Sequence, residues 1–253
     1  MKFNLSEIEL SKRDTNRKIS LPCFLSEELA EFIGVVIGDG NLNFRYGKNV
    51  NGGKSLKSDI RISDNKKEEE YLRYVMALFY SLFNLKMYYK QDTALNAVIL
   101  KAHSKVIVQY LHKICEIPLN KKSDIVFIPE IIKKANTSIK CAFLRGLADT
   151  DFTVTFKNRT NKGHNYPVIK GSFKSNKLIT DLELIFKELG FKQSVYYNEI
   201  RKDKRFNNII MHNIYLYGRK NFYKWIKLIG FSNNKFNRKV SKWLKDGVCP
   251  PGY

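Results

Sequence analysis

The chain is 253 residues long, 43% hydrophobic and 13% aromatic, so it can build a substantial core and is not a disordered basic tail. Forty-five Lys and Arg against 24 Asp and Glu leave a formal charge of +21, spread in short clusters such as Lys66-Lys67, Lys121-Lys122 and Arg201 to Arg205, a self-repulsion that a polyanion relieves. No apolar run of about 18 residues and no signal-peptide pattern points to a membrane, while Cys23, Cys115, Cys141 and Cys249 form no zinc-ligand spacing with the histidines and read as reduced intracellular thiols, three of them small core residues.

Met1 to Leu25 is a polar N-terminal extension. Leu29-Ala-Glu-Phe-Ile-Gly34-Val-Val-Ile-Gly38-Asp39-Gly40 is an apolar helical stretch ending in an acid. Period-two sequence then predicts strands over Asn41 to Tyr46 and Lys57 to Ser63, joined by the loop Gly47 to Lys54 with its Asn51-Gly52-Gly53. A helix is predicted over Lys66 to Phe83, a hairpin from Lys86 to Lys90 and Asn96 to Lys101 around Gln91 to Leu95, and a helix over Ser104 to Cys115 with Val106, Ile107, Tyr110, Leu111 and Ile114 on its apolar face. Pro118 to Ser138, with Pro129 and Lys133-Lys134, reads as a linker.

The same order then recurs. Ala142-Phe-Leu-Arg-Gly146-Leu-Ala-Asp-Thr150-Asp151-Phe152 echoes the first apolar stretch. Thr153 to Arg159 pairs with Val168 to Lys174, Asn176 to Leu189 is helical, Gln193 to Glu199 pairs with Ile209 to Tyr217, and Lys220 to Ile229 is helical. Asn233 to Tyr253 is a basic C-terminal piece, amphipathic around Val240 to Leu244. The expectation is an α+β fold of two pseudo-symmetric halves, 1–117 and 139–253, joined by the linker 118–138.

Gly34 to Asp39 and Gly146 to Asp151 are equal five-residue steps, so the acid ends each helix at the same place. Gly34 and Gly38, and Gly146 and Thr150, put small residues four apart on one face, which lets two backbones pack and would bring both acids to the pseudo-twofold axis. An aspartate at a helix C-terminus opposes the macrodipole, at a cost of roughly 0.3–1 kcal/mol. A divalent cation held by Asp39 and Asp151, with the carbonyls of Gly38 and Thr150, would reverse that penalty and suits the hard oxygen ligation of Mg²⁺. One such acid reads as an ordinary helix stop; two in register point to a site.

At Phe32 to Gly40 and Leu144 to Phe152 the sequence resembles the LAGLIDADG homing endonucleases in their two-motif, single-chain form, and the order of elements agrees over about Leu29 to Phe231. The resemblance implies two αββαββα halves packed through the paired motif helices, each laying a four-stranded antiparallel saddle sheet into the major groove. It implies hydrolysis of one phosphodiester on each strand of a long asymmetric target, with short 3′ overhangs, by Asp39 and Asp151. Mg²⁺ or Mn²⁺ would serve cleavage and Ca²⁺ binding alone. It further implies a basic residue on the last strand of a half that helps order the attacking water. Lys101 matches in half one and Tyr217 in half two, with Arg61 and Lys170 in the same pocket. Two positions depart from the pattern: Ile37 replaces the first acid of motif one, and Phe152 stands where Gly is usual, so that restoring Gly there is expected to leave cleavage unchanged or faster.

Alternate strand residues share one sheet face, which nominates Asn41, Asn43, Arg45, Lys57, Asp59 and Arg61 in half one as DNA readers. Half two offers Thr153, Thr155, Lys157, Arg159, Lys170, Ser172, Lys174, Tyr197, Glu199 and Arg201. Arg201 to Arg205 is expected to be a loop on the phosphate backbone. The expected partner is double-stranded DNA, bound by a monomer. The alternatives are an RNA maturase engaging intron RNA, or a non-cleaving regulator, for which two acids facing phosphates would be a handicap. The chain opens on Met1 and closes on Gly252-Tyr253 without a splicing Cys or a His-Asn pair, so a free-standing, intron-encoded protein of archaeal or bacterial cytoplasm, or of an organelle, is expected.

Overall fold

Serine side chains cap the starts of three helices. Ser26, Ser104 and Ser175 each accept an N–H from three residues on, at 3.2 Å, which satisfies a donor that the helix leaves unpaired. The computed structural model describes residues 2–48, 54–92, 96–159, 163–203 and 207–253. The Asn51-Gly52-Gly53 turn, the centre of the Gln91 to Leu95 turn and the Arg205 end of the basic run lie outside them.

The chain divides into two units, Met1–Lys122 with Pro129–Phe143, and Ser123–Ile128 with Leu144–Tyr253. In the first, α1 (Lys12–Asn16) and the motif helix α2 (Glu27–Gly38) precede strands β1 (Gly40–Lys48) and β2 (Lys54–Asn65). A 3-10 turn at Lys66–Glu68 leads into α3 (Glu69–Phe83), followed by β3 (Tyr88–Asp92), β4 (Ala97–Ala102), α4 (Lys105–Lys113) and, after the crossing to the other unit, α5 (Glu130–Lys133). The strands form an antiparallel sheet in the order β1-β2-β4-β3. Its inward residues Leu42, Ile60, Ile62 and Leu100 are at most 1% exposed. Behind them Phe32, Phe79 and Phe83 meet at ring-centroid distances of 5.0–5.8 Å.

The motif helix α6 (Thr137–Asp151) gives its Leu144–Asp151 end to the second unit. There β5 (Phe152–Lys157), β6 (Tyr166–Phe173), α7 (Asn176–Glu188), β7 (Gln193–Asp203), β8 (Asn207–Tyr217), α8 (Gly218–Leu228) and α9 (Asn234–Asp246) follow. The sheet order β5-β6-β8-β7 repeats that of the first unit. Its core is aromatic: Phe152, Phe186, Phe191 and Trp225 pack together, and Phe156, Phe222 and Trp243 form a second group. Fold class is therefore as expected, with two four-stranded antiparallel sheets in an α+β chain.

One local expectation changes. Arg201 to Asp203 continue strand β7 rather than form a loop, because β8 pairs with them through Arg201↔Ile209, Lys202↔Asn208 and Asp203↔Asn207. The 118–138 segment holds α5 and the first residues of α6. The N-terminal extension folds back on α4: Asp14 is 2% exposed and accepts from Val106 N–H at 3.2 Å, at the start of that helix. Among the thiols Cys115, Cys141 and Cys249 are buried and Cys23 is exposed, all unpaired with one another.

Candidate functional site

Asp39 is the C-cap of α2, with helical-bridge backbone angles (φ −87°, ψ 0°) and its N–H donated to Val35 O at 3.1 Å. The next residue must be glycine, since a Cβ on Gly40 would lie 2.5 Å from Val36 Cα. The positive charge that the helix end calls for is supplied by a side chain. Lys122, only 9% exposed, donates its ammonium to the carbonyls of Ile37 and Gly38, the latter at 2.7 Å. Asn120, in the left-handed region at φ 60°, hooks this segment to β1: its N–H donates to Leu42 O at 2.7 Å, and its carbonyl accepts from the Asn41 amide at 2.8 Å. Asn41 is thus already engaged within the first unit.

In the second motif Asp151 is the last residue of α6. The Thr150 hydroxyl turns back into its own helix, donating to Leu147 O at 2.9 Å. Asp149, the first acid of this motif, is fully buried and accepts the Ser232 N–H at 2.8 Å, anchoring the segment that opens α9. In the first motif the same place holds Ile37, 3% exposed. Among the described residues no three His, Cys, Asp or Glu side chains gather as a ligand set. What each motif offers is one carboxylate beside helix-end carbonyls, an all-oxygen set of the kind Mg²⁺ takes; at Gly38 the carbonyl is shared with Lys122.

The open face of the first sheet is set by its register: Asn41↔Arg61↔Lys101, Asn43↔Asp59 and Arg45↔Lys57 put these side chains on one side. At its centre lies Asp59, 3% exposed. Its Oδ1 accepts from Arg61 Nε at 2.7 Å and from the Asn43 amide at 2.9 Å, and Lys101 Nζ stands 3.7 Å from Oδ2. Burial pushes the Asp59 carboxyl upward, but the hydrogen bonds from Arg61 and Asn43 and the charges of Arg61 and Lys101 outweigh it and hold the group below its usual range. Next to it His103 is held below the ordinary imidazole value, by burial first and then by Lys101.

On the second sheet Thr153, Thr155 and Lys157 are exposed along β5, and Thr153↔Lys170↔Tyr215 is the counterpart of Asn41↔Arg61↔Lys101. The residue at the place of Lys101 is therefore Tyr215, not Tyr217, which sits two residues further along opposite Val168. Lys170 lies over the Tyr215 ring at 5.2 Å, Lys157 over Tyr217 at 5.8 Å, and the two rings stack at 5.2 Å. Arg159 covers the Tyr166 ring at 4.1 Å, and Lys174, one residue beyond β6, is exposed.

Tyr197 does not join this face. An extra residue between Tyr196 and Glu199, with Asn198 at φ 57°, shifts the register and reverses the alternation of side chains. Tyr197, in phase with Val195 before the shift, reaches the helix layer and donates to Glu183 of α7 at 2.9 Å, while Tyr196 takes the open side at 5.6 Å from Tyr215. Glu199 and Arg201 stay on the open face, opposite Met211 and Ile209. Lys122, Asn120 and the role of Asp59 were not signalled by the sequence. The Tyr215-Leu216-Tyr217 alternation was, in its period of two.

No helix among the described residues is long and apolar enough to cross a membrane. Residues 138–230 match the family described as the LAGLIDADG-like domain. An A-type ATP synthase polypeptide of Pyrococcus abyssi is 29% identical over 129 residues, which are 51% of this chain but 11% of that protein, so the chain spans only about a tenth of this curated relative's length. Among solved structures, I-DmoI in complex with DNA and Ca superposes with a TM-score of 0.57 at 16% identity, covering 86% of this chain and 98% of that one. An I-SmaMI variant gives 0.57 at 13% identity (86% and 90%), and the I-LtrWI LAGLIDADG homing endonuclease bound to target DNA gives 0.51 at 12% (87% and 92%). The chain thus carries a LAGLIDADG-like domain and has the fold of the LAGLIDADG homing endonucleases.

Proposed function

We propose that this protein is a site-specific DNA endonuclease that hydrolyses both strands of a long asymmetric duplex with a divalent cation, leaving short 3′ overhangs. The observation that carries the reading is the repetition: each unit ends its motif helix in an aspartate, and follows it with a sheet whose open face bears Arg and Lys. The fold neighbours described as bound to DNA with Ca or Mn support it. In this reading Asp39, with the carbonyl of Gly38, and Asp151, with that of Thr150, are the ligands that would hold Mg²⁺ or Mn²⁺, and Gly34, Gly38, Gly146 and Thr150 are the small positions for helix packing. The cation supplies neutralising charge for the scissile phosphate and a lowered water pKa.

The chain's own residues bind and orient. Lys101 and Arg61, held by Asp59, are assigned to steadying water and the leaving group on one strand, and Lys170, at the register position of Arg61, to the same task in the second unit. Arg45, Lys57, Lys157, Arg159, Lys174 and Arg201 track phosphates or guanines, and Asn43, Thr153 and Thr155 face base edges. The test is cleavage of a genomic or randomised DNA library with Mg²⁺, by wild type and by Asp39→Asn and Asp151→Asn. Defined double-strand cuts by wild type, and binding without cutting by both variants, are expected. Wild-type cutting by either variant removes the acids from the mechanism, and preferential binding of structured RNA by an inactive wild type would favour the maturase alternative.

A further inference from the structure

Strand β2 is longer than its partner β4, which pairs only with Ile60 to Asn65. From Leu56 to Asp59, β2 has β1 on one side and on the other a cavity of about 540 Å³, whose far wall is the N-terminal segment at Ser11, Arg13 and Asp14. The segment is firmly tied: Asp14 Oδ2 accepts from Ser11 Oγ at 2.8 Å as well as from α4, Arg17 donates to His103 O at 2.6 Å, Glu9 pairs with Lys105 at 2.5 Å, and Tyr110 donates to Pro22 O at 3.0 Å.

The charges around this cavity do not balance. Its walls carry Arg13, Arg45, Lys57, Arg61, Lys101 and Lys105, of which Lys105 is paired with Glu9 and Arg61 and Lys101 share Asp59, so Arg13, Arg45 and Lys57 carry the excess. Its two carboxylates already have partners, Asp14 at the start of α4 and Asp59 on Asn43, Arg61 and Lys101. The other polar lining is the His103 ring and the hydroxyls of Ser11, Ser58 and Ser104, of which Ser11 already donates to Asp14. A wall in which cations outnumber the carboxylates suits phosphate oxygens, which only accept, better than a base edge, which mixes donors with acceptors. Arg13 is exposed and its fork can grip a phosphate bidentately.

We infer that Arg13 forms a phosphate-binding site for the duplex backbone beyond the end of the first sheet, so that the N-terminal segment lengthens the first unit's footprint on DNA. The inference rests on the DNA reading above and extends it to a segment outside the repeated units. Its contact is with the backbone and so is indifferent to sequence.

The experiment measures affinity of the full chain for a labelled duplex of about 30 base pairs and arbitrary sequence, without divalent metal, across a salt series. Arg13→Ala should flatten the log–log salt slope by about 0.9 and weaken binding roughly five- to tenfold near 0.1 M salt, the value of one released counterion. Arg13→Lys should keep the slope, and Lys227→Ala, an exposed cation of α8, should leave it unchanged. An Arg13→Ala protein that binds like wild type overturns the inference alone, as does an equal loss in Lys227→Ala. A wild-type chain that binds no duplex overturns the DNA reading beneath it.

Discussion

Phe152 faces Gly171 across the β5–β6 ladder, and its ring fills the space that a side chain there would need: a Cβ on Gly171 would lie 2.8 Å from Phe152 Cζ. The matching pair in the first unit is Gly40↔Ile62, with the small and large residues exchanged. Phe152 is thus a core residue, 3% exposed, packed against Phe173, Phe186 and Trp225. Phe152→Gly should cost about 3–5 kcal/mol in chemical denaturation, against the sequence expectation that glycine is harmless there. A denaturation midpoint equal to wild type would show that the ring is dispensable.

Asp59 gives a pH signature. Its carboxyl is held below its usual range, so its charge stabilises the fold above the ordinary Asp value of 3.8, and that contribution disappears as pH falls through the lower folded-state value. Asp59→Asn should therefore lose about 1–2 kcal/mol at neutral pH and converge with wild type in acid. Parallel urea midpoints for the two proteins from neutral pH to below the ordinary Asp range would contradict this.

Lys122 is the counter-charge of the α2 terminus. Lys122→Met keeps the aliphatic stem but leaves the carbonyls of Ile37 and Gly38 without their ammonium, which should lower stability by about 1–3 kcal/mol. Because Asp39 follows directly, cleavage should fall further than stability alone accounts for. Thermal unfolding and single-turnover cleavage separate the two effects, and a stable, fully active Lys122→Met protein would refute the assignment.

Among the matched places where the units differ, Lys101 of the first stands against Tyr215 of the second. On the proposed mechanism Lys101→Met should slow one strand and let nicked plasmid accumulate, whereas Tyr215→Phe, which keeps the ring beneath Lys170, should change the pattern little. Equal slowing of both strands by Lys101→Met would remove the asymmetry.

The repeated order of helices and strands was legible because alternation and helical spacing are local signals, and the sheet orders followed it. Register was less so. The resemblance matches Tyr217 to Lys101, whereas the ladder puts Tyr215 at that place. Tyr197 is in phase with Val195 on the helix side, and a single extra residue at Asn198 returns Glu199 and Arg201 to the open face; no short-range pattern marks such a bulge. Lys122 looked like linker charge, since only tertiary structure brings it to a helix end. Asp14 likewise shows its purpose only once the N-terminal segment is seen on α4.

The exchanged pairs Gly40↔Ile62 and Phe152↔Gly171 limit how these halves can be recombined. A hybrid that took only a motif helix and its first strand from one half would set two bulky residues, or two glycines, opposite each other. The smallest transplantable fragment is therefore the helix with its whole hairpin, so chimeras designed for new targets should place their junctions beyond the second strand.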